Sequence, residues 1–272
     1  MTEPTESTES TESTNLTEPT EITKLTEVHL KPDSSRKQDS YRKRILIFDV
    51  ETSGLMPRAD YTKPPPPVEA YPYILQISFV IYDLTNWRVE RMYNTYIRVA
   101  PSVEISPFIT ELTGITREKC DNGVPIVEAL TEFYNEYRKC DMIVAHNIDF
   151  DKAMITLEMQ RNAESMVSVC PHYSCVFSEM YNKLNNVEMY CTMKSGKNMC
   201  NIIVKPANKI DATTGAEIES KTYKKFPKLS ELHEFLFNET PKNLHDSMVD
   251  TIVCLRCLLL MRFKRRGNLG SL

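Results

Sequence analysis

The sequence contains no run of apolar residues long enough to span a bilayer, and its amino end lacks the basic and then apolar regions of a secretory signal. Both absences lead to the expectation of a soluble, intracellular protein with no membrane partner. The eight cysteines are therefore expected to be reduced thiols rather than a disulfide framework. They also lack the spacing of a common zinc knuckle. Cys170, His172, Cys175, Cys191 and Cys200 offer ligands, but four residues separate the first thiol pair and the later intervals match no such site. Cys254 and Cys257 lie three apart in an apolar helical pattern, the usual mark of core packing.

Large apolar side chains are almost missing before Leu16, where Thr-Glu-Pro-Thr and Glu-Ser-Thr units repeat. Such a segment cannot bury enough surface to offset chain entropy, so residues 1–40 read as a disordered acidic tail. The tail holds nine acidic and four basic side chains, which accounts for the net charge of -4 and leaves residues 41–272 near neutral. With 41% hydrophobic residues in 272, the chain suits one domain, 41–264, followed by a short tail, 265–272.

What is present is organised around Ile45-Leu46-Ile47-Phe48-Asp49-Val50-Glu51-Thr52-Ser53-Gly54. The apolar run reads as a buried strand ending at Ser-Gly, and strand alternation points Asp49 and Glu51 the same way. Two unpaired acids at the carboxyl end of a central strand are costly to bury together, and a divalent cation is the natural remedy. Taken alone, the stretch also reads as a surface Asp and Glu beside a turn.

Further along, Pro64–Pro67 predicts an extended surface loop bordering any site at that strand end. Residues 73–84 and 88–99 read as strands of a hairpin, 106–112 as a short helix and 124–139 as an amphipathic helix. Residues 141–147 then read as a strand and 148–162 as a helix. This crossover lets the second apolar strand run parallel to the first, bringing His146, Asn147 and Asp151 to the edge that carries Asp49 and Glu51. Asp149 competes with Asp151 as the third acid, although it also suits a helix start. Residues 188–193 read as a short strand, and 194–227 are polar, lysine-rich and poorly periodic, with room for a hairpin. Helices are expected at 229–237 and 247–263. On one helix His245 and Asp250 would point about 140° apart, so they converge only if His245 lies on the preceding loop, with Asp246 or Ser247 as N-cap.

In order and spacing, Asp49-x-Glu51-Thr-x-Gly-Leu, Ala145-His-Asn-x-x-Phe-Asp151 and His245-Asp-x-x-x-Asp250 resemble the three motifs of the DEDDh 3′-5′ exonucleases, the DnaQ-like group. Thr113-Gly-Ile-Thr116 and Cys191-Thr-Met193 resemble that family's connectors. The resemblance covers roughly Ile45 to Leu260 and implies an RNase H-like α/β fold, a mixed β-sheet with helices on both faces. It implies that Asp49, Glu51, Asp151 and Asp250 bind two Mg²⁺ or Mn²⁺ ions and that His245 is the general base. It implies that Thr52, Ser53, Gly54 and Leu55 grip the terminal nucleotide, that His146 and Asn147 line the sugar-phosphate path, and that Gln76 supports the site without being catalytic. The implied activity is hydrolysis of nucleic acid, DNA in preference, from a free and preferably single-stranded 3′ end to nucleoside 5′-monophosphates. A proofreading or repair role, with a DNA polymerase or replication and repair proteins as partners, would follow.

The chain exceeds compact members of that family near 56–72 and 167–227, which read as insertions. The basic clusters Tyr41–Arg44 and Arg262–Arg266 suit either a nucleic-acid backbone or a solvated element end. The alternatives are an exoribonuclease, a catalytically silent RNase H-like module that binds nucleic acid or a polymerase, and an endonuclease using the same metals.

Overall fold

In a computed structural model, residues 44–57, 62, 64–210 and 217–266 are described; the expected tail 1–40, Tyr41–Lys43 and most of 265–272 lie outside the described residues. Strand β1 (Arg44–Thr52) shows why its sequence is apolar without alternation. Leu46, Phe48 and Val50 enter one core layer, while Ile45 and Ile47 enter the other. Both sheet faces are covered, so both sets of side chains are buried.

Antiparallel strands β2 (Ile74–Asp83) and β3 (Arg88–Arg98) complete a meander with β1. Two short helices follow, α1 (Pro107–Thr113) and α2 (Arg117–Asp121). Their joint is the Thr113-Gly-Ile-Thr116 connector. Gly114 at φ 69° ends α1, its N–H donating to the Thr110 carbonyl oxygen, and Thr116 caps α2. A side chain is disfavoured at that left-handed position, which explains the glycine.

The chain continues through β4 (Val124–Pro125), α3 (Ile126–Tyr137), β5 (Met142–Ala145), α4 (Ile148–Arg161), α5 (Ala163–Val169), α6 (Glu179–Leu184), β6 (Glu188–Cys191) and α7 (Thr192–Cys200). The main sheet has the order β4-β3-β2-β1-β5-β6, with β5 parallel to β1 and β6 parallel to β5. After α7 come four two-residue strands, β7 (Ile203–Val204), β8 (Lys209–Ile210), β9 (Glu217–Ile218) and β10 (Tyr223–Lys224). They pair as β7 with β10 and β8 with β9, a nested hairpin. Helices α8 (Leu229–Phe237) and α9 (Ser247–Phe263) close the fold. One core layer includes side chains of α3 and α4, the other those of α8 and α9, so the sheet is mixed and covered on both faces, as expected for the RNase H-like class. No helix among the described residues is long and apolar enough to cross a membrane.

One expectation needs correction, and the structure bears on the two readings left open for Arg262–Arg266. The stretch 167–227 is not one insertion, because β6 within it is an edge strand of the main sheet. Its elements are too short for a period to be legible, and the strand expected to reach Met193 ends at Cys191, where the Cys191 sulfur accepts from Lys194 N and starts α7. Among the described residues of that stretch, the four short strands β7 to β10 form two small sheets separate from the main one. The basic run Arg262–Arg266 ends α9, whose 17 residues carry the chain about 25 Å from the helix start. Arg265 stacks 4.0 Å from the Trp87 ring centre, beside the hairpin at the amino end of β1. That is the sheet edge opposite Asp49 and Glu51.

Candidate active site

Asp49 and Glu51 follow Ile47 at two-residue steps and so face the α9 layer. Register places them beside Ser78 and Gln76 of β2. β5 pairs with β1 only from Ile45 to Ile47, so the Val50 amide lies beyond that ladder. It donates to Asp151 Oδ1 at 3.3 Å, fixing the first turn of α4 against the end of β1. Asp151 is buried, whereas Asp149 is exposed and pairs with Lys194 at 2.5 Å. Asp151 is therefore the third acid of the cluster.

The fourth comes from α9, whose start is pinned to the sheet. Ser247 Oγ donates to the Asp49 carbonyl oxygen at 2.7 Å, and Ser247 N donates to Gln76 Oε1 at 3.4 Å. Gln76 Nε2 in turn donates to Asp246 Oδ2 at 3.2 Å and to Asn94 Oδ1 at 3.0 Å. Asp246 Oδ1 caps the helix through Met248 N and Val249 N at 3.0 and 3.2 Å. Asp250 thus stands one turn in, facing the other acids. His245 precedes the cap at φ 70°, a left-handed conformation uncommon for a residue with a side chain, and its amide donates to Asp250 Oδ2 at 3.4 Å. Glu51, His245 and Asp250 each bring one ligand atom within 4.8 Å of the other two.

Burial and crowding of like charge disfavour ionisation here. Burial, followed by the charges of Asp151, Asp250 and Glu51, raises the Asp49 carboxyl well above the usual range. Glu51 is pushed up to about 8 by burial and then by Asp250, Asp151 and Asp246. Burial lifts Asp151 against the opposing bond from Val50, and lifts Asp250 to about 7 against the bond from the His245 amide. Asp250 Oδ1 is buried with no hydrogen-bond partner. An all-oxygen set of mutually repelling carboxyls with an orphaned acceptor fits a hard divalent cation.

The other sequence candidates divide. Thr52 Oγ1 donates to the Gly54 carbonyl oxygen at 2.6 Å, and Ser53 exchanges two 2.9 Å bonds with Tyr73, so both hydroxyls shape the loop. Leu55 is 88% exposed and Asn147 is exposed. His146 is committed inward: Nε2 lies 3.1 Å from the Pro227 carbonyl oxygen and Nδ1 3.0 Å from Thr192 Oγ1, and burial lowers its pKa to about 4. A carbonyl only accepts, so Nε2 carries the proton and Nδ1 accepts from Thr192.

The polyproline loop returns as a wall. Arg161 donates to the Val68, Tyr71 and Pro72 carbonyl oxygens at 2.7, 2.6 and 2.9 Å and pairs with Glu158 at 2.7 Å. Between this wall and α4 runs a groove of about 480 Å³ lined by Met56, Tyr71, Lys152 and Leu157 among others. Two further features have no local signature in the chain. Ser247 ties α9 to Asp49 through a contact 198 residues away in the chain. Phe108, 68% exposed, and Leu112 lie on α1, which follows β3 at the acid-bearing sheet edge; in a helical pattern they are indistinguishable from core residues.

The profile of the RNase T family, described as "Exonuclease", matches residues 46–258. Among curated proteins, the DNA polymerase III PolC-type of Lactococcus lactis subsp. lactis is 29% identical over 130 residues, 48% of this chain and 7% of the relative. The PolC-type enzyme of Thermotoga petrophila is 32% identical over 133 residues, 49% and 8% of the two chains. The 3′-5′ exonuclease DinG of Bacillus subtilis is 29% identical over 120 residues, 44% and 11%. The chain thus matches a small part of each much longer relative. Among solved structures, the nuclease domain of 3′hExo, described as a DEDDh family member bound to rAMP, superposes with a TM-score of 0.54 at 16% identity, covering 84% of this chain and 96% of that one. Exonuclease I of E. coli with a dT13 oligonucleotide gives 0.53 at 15% identity, covering 82% and 42%.

Proposed function

Because the chain belongs to the RNase T exonuclease family and gathers four carboxylates and a histidine at one sheet edge, we propose that it is a metal-dependent 3′-5′ exonuclease releasing nucleoside 5′-monophosphates. The observation that carries this reading is the convergence of Glu51, His245 and Asp250 within 4.8 Å beside Asp49 and Asp151. Asp49, Glu51, Asp151 and Asp250 would hold two Mg²⁺ or Mn²⁺ ions. Such ions supply the positive charge that stabilises the attacking and leaving oxygens.

The protein's own groups do the rest. His245, exposed and outside the helix, takes the proton of the attacking water as general base. Leu55, with Phe108 and Leu112 on the same edge, offers apolar surface to the terminal base. Thr52, Ser53 and Gly54 hold the loop that presents Leu55. Asn147 borders the sugar-phosphate path, and His146 serves it by fixing the turn before α4 rather than through its committed ring. The groove beside Tyr71 guides the strand along the polyproline wall.

DNA is the proposed substrate, because the PolC-type relatives are named as DNA polymerases. A replication or repair partner belongs to the same proposal. The test is product analysis with 5′-labelled single strands of DNA and RNA in Mg²⁺, Mn²⁺ or EDTA. A metal-dependent ladder shortening from the 3′ end is expected, abolished in Asp49→Ala and reduced about 10²–10⁴-fold in His245→Ala. A wild-type chain that leaves every strand intact with either metal overturns the reading, and cleavage of circular strands would make the enzyme an endonuclease.

A further inference from the structure

The paired strands β7 and β10 lie outside the main sheet, and the chain after β10 returns to the core at His146, next to the carboxyl end of β5. Its return is anchored by three contacts. The Pro227 carbonyl oxygen accepts from His146 Nε2 at 3.1 Å, immediately after the carboxyl end of β5. Pro227 also packs against α7 at Gly196, where an added Cβ would lie 3.2 Å from Pro227 Cγ. The Phe226 ring lies 4.3 Å below the Lys197 ammonium. From this root β10 rises with Tyr223, 54% exposed, and with Lys221 and Lys228 exposed beside it.

Charge is concentrated in this region. Residues 194–228 contain eight lysines and three acidic residues, although residues 41–272 as a whole are near neutral. A cluster of four carboxyls repels any polyanion that approaches it, so a strand entering this site needs positive surface close by. Aromatic side chains between lysines suit unpaired bases, which stack on them, while the ammonium groups take the phosphates.

We infer that the arm formed by β7 and β10, with its root at Phe226–Lys228, is a second nucleic-acid contact that holds the single strand some nucleotides away from the 3′ end being cut. The proposal extends the nuclease reading above to the body of the substrate. It assigns the backbone to Lys221, Lys224 and Lys228 and base stacking to Tyr223 and Phe226. The chain then binds long strands more tightly than short ones, because only long strands reach both surfaces.

The test uses the full chain carrying Asp151→Asn, so that no strand is consumed, and reads the anisotropy of 5′-labelled DNA of 4 and 20 nucleotides. Adding Lys221→Ala and Lys224→Ala should weaken the 20-mer about tenfold and reduce the slope of log affinity against log salt by about 1.4, while leaving the 4-mer within twofold. Tyr223→Ala alone should weaken the 20-mer severalfold. Lys221 and Tyr223 are exposed, whereas Lys224 is half-buried and donates to Asn198 Oδ1 at 3.3 Å, so circular dichroism is used to check that the fold is intact. Equal losses for both lengths would mean that the arm merely shapes the site through Pro227 and His146, and overturn the proposal. Unchanged binding of the 20-mer, or no binding by the Asp151→Asn chain, would also overturn it. Tighter binding after the lysine changes would assign the arm to the acidic residues 1–40 instead. Length-dependent binding through these residues in a chain whose wild type cuts nothing would uphold the arm and remove the nuclease.

Discussion

At the scale of single residues, the acid cluster sets stability against function. The folded chain holds protons on Glu51 up to about pH 8 and on Asp250 up to about pH 7. In the unfolded chain the same groups ionise near pH 4. Between these values the folded state binds more protons, so stability from these groups is full at low pH and is lost as pH rises. The melting temperature in EDTA should therefore fall between pH 6 and pH 8, and Mg²⁺ or Mn²⁺ should restore it by replacing protons with a cation. Differential scanning fluorimetry at both pH values decides this. Asp151→Asn keeps an oxygen for the Val50 amide but replaces an ionisable group that burial and Asp250 disfavour as a charge. It should raise the cation-free melting temperature at pH 8 by about 2–4 °C for each kcal/mol of repulsion relieved, while abolishing hydrolysis. Asp49, Glu51, Asp151 and Asp250 were legible as candidates because their types and spacings are fixed locally. The inward commitment of the His146 ring was not, since Thr192 and Pro227 meet it only in three dimensions.

At the scale of elements, the start of α9 is the joint on which the site depends. Ser247 binds the Asp49 carbonyl oxygen, and Gln76 bridges β2 to Asp246 and the Ser247 amide. Ser247→Ala removes one buried hydrogen bond and should cost about 1–2 kcal/mol in chemical denaturation. Because Asp250 then shifts relative to Asp49, kcat should fall more than KM rises, a split that a simple loss of stability would not produce. The joint was partly legible. Asp246 and Ser247 read as cap residues, and the 140° rule required His245 to sit outside the helix, where the left-handed turn has it. The partner of the Ser247 hydroxyl lies at the other end of the chain, and no local pattern encodes it.

At the scale of the whole molecule, direction along the sheet separates function from framework. The carboxyl ends of β1, β3 and β5 share the edge with the acids, while the Trp87 hairpin and the end of α9 share the opposite one. Arg262–Arg266 resembles a nucleic-acid contact in sequence, yet Arg265 stacks on Trp87 and Arg262 pairs with Glu188 at 3.6 Å. Arg262→Ser with Arg265→Ser should leave strand affinity within twofold and lower stability by about 1 kcal/mol or less, as exposed ion pairs and cation-π contacts do. Filter binding and thermal melting check the two halves of that expectation.

The sequence by itself determined which strand is central, which acids can cluster and on which side of a helix start His245 must lie, because strand and helix periods are local properties of the chain. Tertiary structure decided that Asp151 is buried against β1 while Asp149 faces Lys194, that Arg262 and Arg265 sit at the edge away from the acids, and that β6 belongs to the main sheet. Each of those depends on which end of the sheet a segment reaches, and that is set by strand pairing between residues far apart in the chain.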